Sequence, residues 1–300
     1  MPITLPPLSR RRFLAGALAA GAGAILPRTL WAEDKPADPN HWVWLSDTHI
    51  WEERDKAHRA TKPALNFGIV RRGILALPSR PAGAIVTGDC AYMVGEPGDY
   101  MVLAEEVKPL REAGIPLHFA FGNHDERNNF PAAFAEVRQE KPPVADKCVA
   151  VVETPHANLV LLDSLVKTKY TPGELGKPQL AWLAKTLDAR ADKPAIVMAH
   201  HDPDNGLGSG LLDTKALFDV LLPRKHVKAY VFGHTHRWQV SKKDDLHLVN
   251  LPPTAWVFAA GMPQGWVEVT LAAGGATLVL HCLDPKHAKD GEKVELKWRA

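Results

Sequence analysis

Five short apolar segments, each followed by histidine or aspartate, constrain the fold of this chain more than any other feature. The apolar segments span residues 41–45, 84–87, 115–121, 195–199 and 229–232. The polar residues that follow them are Asp47 and His49, then Asp89, then Asn123, His124 and Asp125, then His200, and finally His234 and His236. Apolar runs that alternate with amphipathic segments are typical of buried strands and helices in an α/β fold. Because ligands bind beyond the carboxyl ends of strands in such sheets, we expect the five clusters to meet at one edge.

The segments between these strands have the periodicity of helices. Helices are predicted at about residues 59–77, 99–113, 127–135, 178–189 and 213–222, with Pro63 and Pro109 shortening or kinking two of them. A strand pair is predicted at 148–153 and 159–163, and after Trp238 we expect strands alone, at 239–242, 246–250, 266–271 and 276–282. The pattern predicts one α/β domain over residues 41–283, a four-layer α-β-β-α sandwich of two packed mixed β-sheets flanked by helices. Residues 284–300 are predicted to form a polar tail with room for one edge strand.

Composition and charge exclude several function classes. The chain is 46% hydrophobic and 23% charged over 300 residues, which is typical of a globular domain and excludes a disordered or coiled-coil chain. Four of the 36 basic residues lie in residues 1–32, so the remainder has 32 basic against 34 acidic residues, a net charge of −2. This balance gives no reason to expect nucleic acid as a partner. The cysteines, Cys90, Cys148 and Cys282, allow at most one disulfide and fit burial as small apolar residues better.

The first 32 residues have the features of an export signal. Consecutive arginines at 10–12 precede an apolar, small-residue run at 13–26, which is shorter than the roughly 20 residues that span a bilayer. The arrangement resembles a twin-arginine signal, which implies the twin-arginine export machinery as a partner and cleavage near Ala32. An ordinary secretory signal and an uncleaved anchor are the alternatives. We therefore expect residues 33–40 to be a leader, and the protein to be periplasmic or extracellular, or membrane-anchored if the signal is not cleaved.

The polar residues at the strand ends have the composition of a metal site. Asp47 and His49 are one residue apart, so on an extended backbone both side chains leave the same face, and His234 and His236 repeat the spacing. Asp89 offers a carboxylate able to bridge two cations. Together with Asn123 and His200 these residues give seven nitrogen or oxygen ligands without sulfur, too many for one ion. Two divalent ions would leave a net positive charge that attracts phosphate and favours the formation of hydroxide near neutral pH.

These motifs resemble the five blocks of the calcineurin-like metallophosphoesterase superfamily. The blocks are Asp47-x-His49, Gly88-Asp89, Gly122-Asn123-His124-Asp125, His200 and Gly233-His234-x-His236, in the family's order. The resemblance implies that Asp47, His49, Asp89 and His236 hold one metal ion and that Asp89, Asn123, His200 and His234 hold the other. It also implies that His124 protonates the leaving oxygen or stabilises charge in the transition state, and that a metal-bound hydroxide attacks phosphorus.

Four further residues are candidates for supporting roles. Tyr92 stands three residues after Asp89, where purple acid phosphatases have a tyrosine that ligates iron, but those enzymes lack the histidine found here at position 49. We therefore expect Tyr92 to support the metal ligands or to line the pocket. His201 and Arg127 are candidates for supporting the metal ligands or contacting substrate, and His200 is preferred to His201 as the ligand because consecutive side chains on a strand diverge. Asp125 is expected either to orient His124 or to cap the following helix.

The sequence thus predicts a hydrolase that acts on phosphoric ester bonds. We expect two metal ions, drawn from iron, manganese and zinc, and a phosphate-ester substrate, with diesters slightly preferred. Segments 162–164, 173–176 and 179–183 resemble the branch of the superfamily that contains cyclic-nucleotide phosphodiesterases and its purple-phosphatase neighbours. The alternatives are an acid-phosphatase-like phosphomonoesterase and a secreted binding protein that keeps the fold without turnover. The sequence makes no prediction of oligomeric state.

Overall fold

The fold is described from a computed structural model, and the structure describes residues 3–8, 37–134, 142–204 and 206–300. Two β-sheets lie at its centre. Their strands in the described part of the chain are β1 (Ile3–Leu5), β2 (Ala37–Leu45), β3 (Arg80–Val86), β4 (Leu117–Phe119), β5 (Ala150–Glu153), β6 (Asn158–Leu161), β7 (Ala195–Met198), β8 (Val227–Phe232), β9 (Gln239–Lys243), β10 (Leu246–Asn250), β11 (Gly265–Ala272), β12 (Gly275–Cys282) and β13 (Lys293–Lys297).

The helices connect the strands and cover the outer faces. They are α1 (Pro63–Ala76), α2 (Pro97–Glu112), α3 (Phe130–Ala133), α4 (Gly176–Asp188) and α5 (Thr214–Leu221). Pro63 begins α1, because its fixed φ suits the first turn and its missing N–H has no partner to lose there. A capping box of Glu96 and Asp99 begins α2, and Pro109 lies inside that helix without ending it.

Both sheets mix parallel and antiparallel strands. The seven-stranded sheet has the order β1-β4-β3-β2-β11-β12-β13, in which β2, β3 and β4 are parallel. The six-stranded sheet has the order β5-β6-β7-β8-β10-β9, in which β6, β7, β8 and β10 are parallel. Five of these parallel strands, β2, β3, β4, β7 and β8, are those whose carboxyl ends carry the predicted polar clusters.

The burial of alternate residues along the strands produces the layers. On β2, Val43 and Leu45 pack in the cluster beneath α1 and α2, whereas Trp42 and Trp44 face the other way, into a core with residues of the second sheet such as Val231. A third cluster packs α4 and α5 against the outer face of the six-stranded sheet. The predicted four-layer α-β-β-α sandwich is confirmed.

The two ends of the chain take part in the seven-stranded sheet. Strand β1 lies within the segment predicted to be a signal peptide; it pairs antiparallel with β4, and Leu5 is fully buried. Strand β2 begins at Ala37, within the predicted leader. At the other end, β13 pairs with β12 as the edge strand that the sequence allowed, and Arg299 is buried against backbone carbonyls of Leu221 and Val227.

The arginines at 10–12, the apolar run at 13–26 and the cleavage position near Ala32 lie outside the described residues. Among the described helices, none has both the length and the apolar character that a membrane-spanning helix needs.

Candidate metal centre

The five predicted clusters meet at the carboxyl ends of the parallel strands. Strands β2, β3 and β4 deliver Asp47, His49, Asp89, Asn123 and His124 from one sheet, and strands β7 and β8 deliver His200, His234 and His236 from the other. The ligand atoms of Asp47, His49 and His236 lie within 4.8 Å of one another, and so do those of Asp47, Asp89 and His200. Two neighbouring groups of metal-ligating side chains therefore form where the two sheets approach each other.

Asp89 belongs to the second of these groups and also approaches His49 of the first. Its Oδ2 lies 3.2 Å from His200 Nε2 and 3.6 Å from His49 Nε2. The backbone N–H of His124 donates to the other oxygen, Oδ1, at 2.9 Å, which fixes the orientation of the carboxylate. Asp89 is thus placed to share one oxygen between both groups of ligands.

Five of the seven predicted ligands have a positive backbone φ, at 52° for Asp47, 42° for His49, 48° for Asp89, 66° for His234 and 54° for His236. The extended backbone expected around Asp47 and His49 is therefore wrong: the chain turns sharply at each of these residues. Non-glycine residues in the left-handed region cost about 1 kcal/mol or more each, and such strain concentrates at functional sites. Backbone hydrogen bonds hold the turns, including Asp47 N–H to Gly88 O at 3.1 Å and His49 N–H to Asp89 O at 2.9 Å.

Two glycines allow the turns to approach each other. A Cβ on Gly122 would lie 2.2 Å from Asp89 Oδ1, and a Cβ on Gly233 would lie 1.8 Å from Ser46 Oγ. Both glycines precede a predicted ligand, so the close approach explains the residue type at these positions.

Backbone carbonyls fix which ring nitrogen of three histidines faces the site. His236 donates from Nδ1 to Trp256 O at 2.6 Å, and His234 donates from Nε2 to Ser209 O at 2.9 Å. The nitrogen that faces the site is therefore Nε2 in His236 and Nδ1 in His234, where it lies 3.3 Å from His200 Nε2. His124 donates from Nδ1 to Met93 O at 2.6 Å, which leaves its Nε2 free. Such partners orient ligating histidines and fix their tautomers.

Burial and charge set the protonation of the site. Burial alone would raise the pKa of the Asp47 carboxyl, but His236 and His200 outweigh it and hold the pKa below its usual range. Burial lowers the pKa of His49 to about 3 and that of His234 to about 4. Burial acts in the same direction on His200, but Asp89 outweighs it and raises that pKa to about 9. A cation beside Asp89 would replace the proton on His200, because metal binding requires neutral imidazole.

The donor set fits metal ions. Buried Asp47 Oδ1 and Asn123 Oδ1 have no hydrogen-bond partner among the described residues, and His49 Nε2 lies 3.2 Å from His236 Nε2. Unpaired buried oxygens and converging imidazole nitrogens are costly unless a cation lies between them. Nitrogen and oxygen donors without sulfur suit borderline and hard ions. These residues could therefore hold metal ions at two neighbouring positions.

Asp125 lies beside the centre but binds the loops that carry it. Its carboxylate accepts hydrogen bonds from the N–H groups of Gly122 at 2.9 Å, Cys90 at 3.0 Å and Ala91 at 3.1 Å, and from Tyr100 Oη at 3.2 Å. Burial raises its pKa to about 6, and the backbone N–H groups oppose that rise.

The geometry therefore matches neither role expected for Asp125. His124 is oriented by the Met93 carbonyl, and α3 begins after Asn129. Asp125 instead joins the loop after β3 to the loop after β4.

The remaining candidates are engaged in other contacts. The Tyr92 hydroxyl is hydrogen-bonded to His58 Nδ1 at 3.0 Å. Both ring nitrogens of His201 are occupied, since Nε2 donates to Thr171 O at 2.9 Å and Nδ1 lies 2.7 Å from Ser164 Oγ. Arg127 forms a bidentate ion pair with Asp163, with both N–O distances at 2.8 Å. All three side chains therefore contact residues of the loops that surround the centre.

Comparison with protein families identifies the family to which the chain belongs. The sequence profile described as "Calcineurin-like phosphoesterase" matches residues 43–238, which is more than half of the chain and includes every predicted ligand. The chain belongs to this family. The prediction that this phosphoesterase is a hydrolase acting on phosphoric ester bonds is confirmed at the level of the family.

Similar proteins agree with this assignment. The phosphoesterase is 30% identical over 252 residues to the 3',5'-cyclic adenosine monophosphate phosphodiesterase CpdA of Pseudomonas aeruginosa, covering 80% of this chain and 85% of that protein. It is 30% identical over 204 residues to a probable glycerophosphodiester phosphodiesterase GpdQ of Arcobacter nitrofigilis, covering 65% and 71% of the two chains. A dimetal phosphatase structure from Danio rerio superposes with a TM-score of 0.65 at 12% identity, over 87% of this chain and 100% of that one, and shows the shared fold.

Residues that sequence reasoning missed complete the site of this phosphoesterase. Trp256 lies in the loop after β10, which pairs parallel with β8. It stacks on His49 with ring centroids 4.1 Å apart and orients His236 through its carbonyl. Ser209 and Met93 orient histidines through backbone carbonyls, which leave no mark on the sequence. Only the position of Trp256 after the strand predicted at 246–250 could have indicated its role.

Proposed function

We propose that the chain is a phosphodiesterase that works with two metal ions bound by Asp47, His49, Asp89, Asn123, His200, His234 and His236. The observation that carries the proposal is the position of Asp89 Oδ2 between His49 and His200, which suits a carboxylate shared by two ions. Iron, manganese and zinc fit the nitrogen and oxygen donors. The named activities of relatives at 30% identity support diesters as the substrate class.

Ions bound at this centre would supply Lewis-acid activation of water and of the phosphoryl oxygens. The protein's own residues hold the ligands in place before substrate arrives, through the strained turns and the carbonyl contacts described above. Such preorganisation avoids the cost of rearranging ligands during the reaction.

His124 is placed to serve the leaving group. Its Nδ1 donates to the Met93 carbonyl, so Nε2 is the atom that gains or loses a proton. Its ring centroid lies 5.2 Å from that of His49, and it is partly exposed, so substrate can reach it. We infer that His124 donates a proton from Nε2 to the departing oxygen, while the Met93 carbonyl stabilises the protonated imidazole.

The test is hydrolysis of bis(p-nitrophenyl) phosphate and of p-nitrophenyl phosphate by protein reconstituted with Mn²⁺, Zn²⁺ or Fe²⁺. We expect turnover of the diester to exceed that of the monoester, and Asp89→Asn to abolish both. Higher turnover of the monoester would favour the acid-phosphatase-like alternative. Metal-loaded protein that cleaves neither ester would favour a binding protein and refute the proposal.

We further propose that the protein is exported, with residues 1–32 acting as a twin-arginine signal ahead of a catalytic domain that runs from β2 to β13. The arginines at 10–12 followed by a short apolar run support this. The test is fractionation of cells that express the chain with Arg11 and Arg12 intact or replaced by lysine. Export that is unaffected by the lysine variant would refute the twin-arginine assignment.

A further inference from the structure

Aromatic side chains from three loops line one side of the metal centre. We call this group the aromatic rim, and it consists of Trp51, His58, Tyr92, Trp256 and Phe258. Trp256 stacks on His49 with ring centroids 4.1 Å apart, and the ring centroids of Phe258 and His236 are 4.3 Å apart. The rim therefore begins on two of the proposed metal ligands and extends outwards from them.

The inner part of the rim is fixed by its neighbours. Tyr92 stacks on Trp51 with ring centroids 4.3 Å apart, and its hydroxyl is hydrogen-bonded to His58. The ring centroid of His58 lies 4.6 Å from that of Trp256. The loop before Trp256 is held by Asn66, whose side-chain amide donates to Ala255 O at 2.8 Å. These contacts hold the inner side chains of the rim in place.

The outer part of the rim is open to solvent. Phe258 is 58% exposed, in the exposed segment 258–262. The Arg59 guanidinium lies 5.1 Å from the centre of the Phe258 ring. Among the described residues, Arg59 has no carboxylate partner, in contrast to Arg54, which pairs with Glu105 and Glu106. An exposed aromatic ring and an unpaired guanidinium thus lie beside a catalytic centre.

A second observation indicates a ligand at this place. Trp256 is only 4% exposed, yet its Nε1–H donor has no partner among the described residues. A buried donor without an acceptor is costly, and a hydrogen-bond acceptor on a bound ligand would satisfy it. The donor lies in the same side chain that stacks on His49, so the ligand would approach next to the metal centre.

We propose that the aromatic rim and Arg59 bind a planar aromatic group of the ester, a nucleobase, and so make the enzyme prefer nucleotide diesters to glycerophosphodiesters. The inference rests on the phosphodiesterase activity proposed above. His124 and Trp256 both contact the ring of His49, with centroids 5.2 Å and 4.1 Å from it, so the group bonded to the departing oxygen lies close to the rim. Bases stack on aromatic rings and on guanidinium planes, whereas glycerol has no face to stack.

A binding experiment isolates the base. Adenosine 5'-monophosphate and ribose 5-phosphate carry the same phosphate and sugar, so calorimetric titration of Mn²⁺-reconstituted protein with each compares ligands that differ only in the base. We expect the nucleotide to bind about tenfold more tightly, since stacking of one base is worth roughly a 5- to 150-fold difference. Phe258→Ala and Arg59→Ala should each reduce that ratio, whereas Phe258→Tyr should retain it.

The matched control is Met101→Ala, which removes another large exposed side chain, 61% exposed on α2. Equal affinity of the two ligands for the wild-type protein would overturn the proposal. An unchanged ratio of the two affinities in both Phe258→Ala and Arg59→Ala would also overturn it, because these substitutions are at exposed positions and leave the core intact.

Turnover separates this inference from the function on which it rests. The ratio of kcat/KM for a cyclic nucleotide to that for glycerophosphoethanolamine should fall about tenfold in Phe258→Ala. If Phe258→Ala slows both esters equally, the rim is not a base site although the diesterase activity stands. If wild-type protein cleaves neither diester after metal reconstitution, the proposed function itself fails.

Discussion

Replacing Asp125 by alanine tests how the metal-binding loops are held together. The substitution removes the acceptor for three buried backbone N–H groups, those of Gly122, Cys90 and Ala91. An unpaired buried donor costs about 1–3 kcal/mol, so we expect a loss of at least about 3 kcal/mol in the free energy of unfolding. For a domain of this size, that loss lowers the melting temperature by roughly 6–12 °C.

The assay is urea denaturation followed by circular dichroism, together with metal analysis of the folded protein. Asp219→Ala is the control, because the Asp219 side chain is 63% exposed on α5 and its removal should change stability by no more than about 0.5 kcal/mol. Metal content should fall in Asp125→Ala, because the carboxylate joins the loops that carry Asp89 and Asn123. A variant with unchanged stability and metal content but reduced turnover would refute this reasoning and assign Asp125 a catalytic role.

Three further predictions concern the leaving group, the pH dependence and the N-terminal strand. His124→Ala should retain metal but slow diesters by about 10²–10⁴-fold, most for poor leaving groups; rates for aryl diesters of graded leaving-group pKa check this, and an unchanged dependence would remove His124 from proton transfer. Burial lowers the pKa of His118 to about 4, so the unfolded chain binds a proton at a higher pH than the folded chain does. The free energy of unfolding should therefore fall by about 3 kcal/mol as the pH drops from 6.5 to 4. Urea midpoints across that range should fall less steeply in His118→Gln, and parallel curves would contradict the assignment. Leu5→Ala should cost about 2–5 kcal/mol in the full chain, because Leu5 is fully buried in the core; an unchanged midpoint would show that β1 does not stabilise the domain.

The sequence predicted the fold because its strands are short apolar runs with clear ends. Residues 195–199 and 229–232 were predicted as strands, and β7 and β8 follow them closely. Strand β1 was not predicted, because residues 3–5 have no strand pattern of their own and gain their conformation by pairing with β4, more than 110 residues away. Pairing between distant segments is set by tertiary structure, which local pattern does not report.

The position of the candidate site followed from the strand ends, but its internal geometry did not. The predicted ligands converge because parallel strands share one edge of the sheet. Their left-handed backbone, as at Asp47 and His236, is imposed by hydrogen bonds between loops and has no residue signature. The contact of Trp256 with His49 joins residues 207 positions apart in the sequence, so only the folded chain reveals the rim.

The metal content of the full chain and of Asp89→Asn is the most direct test of a binuclear centre. After reconstitution with Mn²⁺ or Zn²⁺ and removal of free ions, we expect about two ions per wild-type chain, because seven nitrogen and oxygen donors converge around a shared carboxylate. Asp89→Asn should hold fewer than about one ion per chain, because the amide lacks the negative charge that both metal positions would share. Asp219→Asn, the control, should hold as many ions as the wild-type protein. One ion or none in the wild-type protein, or two in Asp89→Asn, would contradict the account.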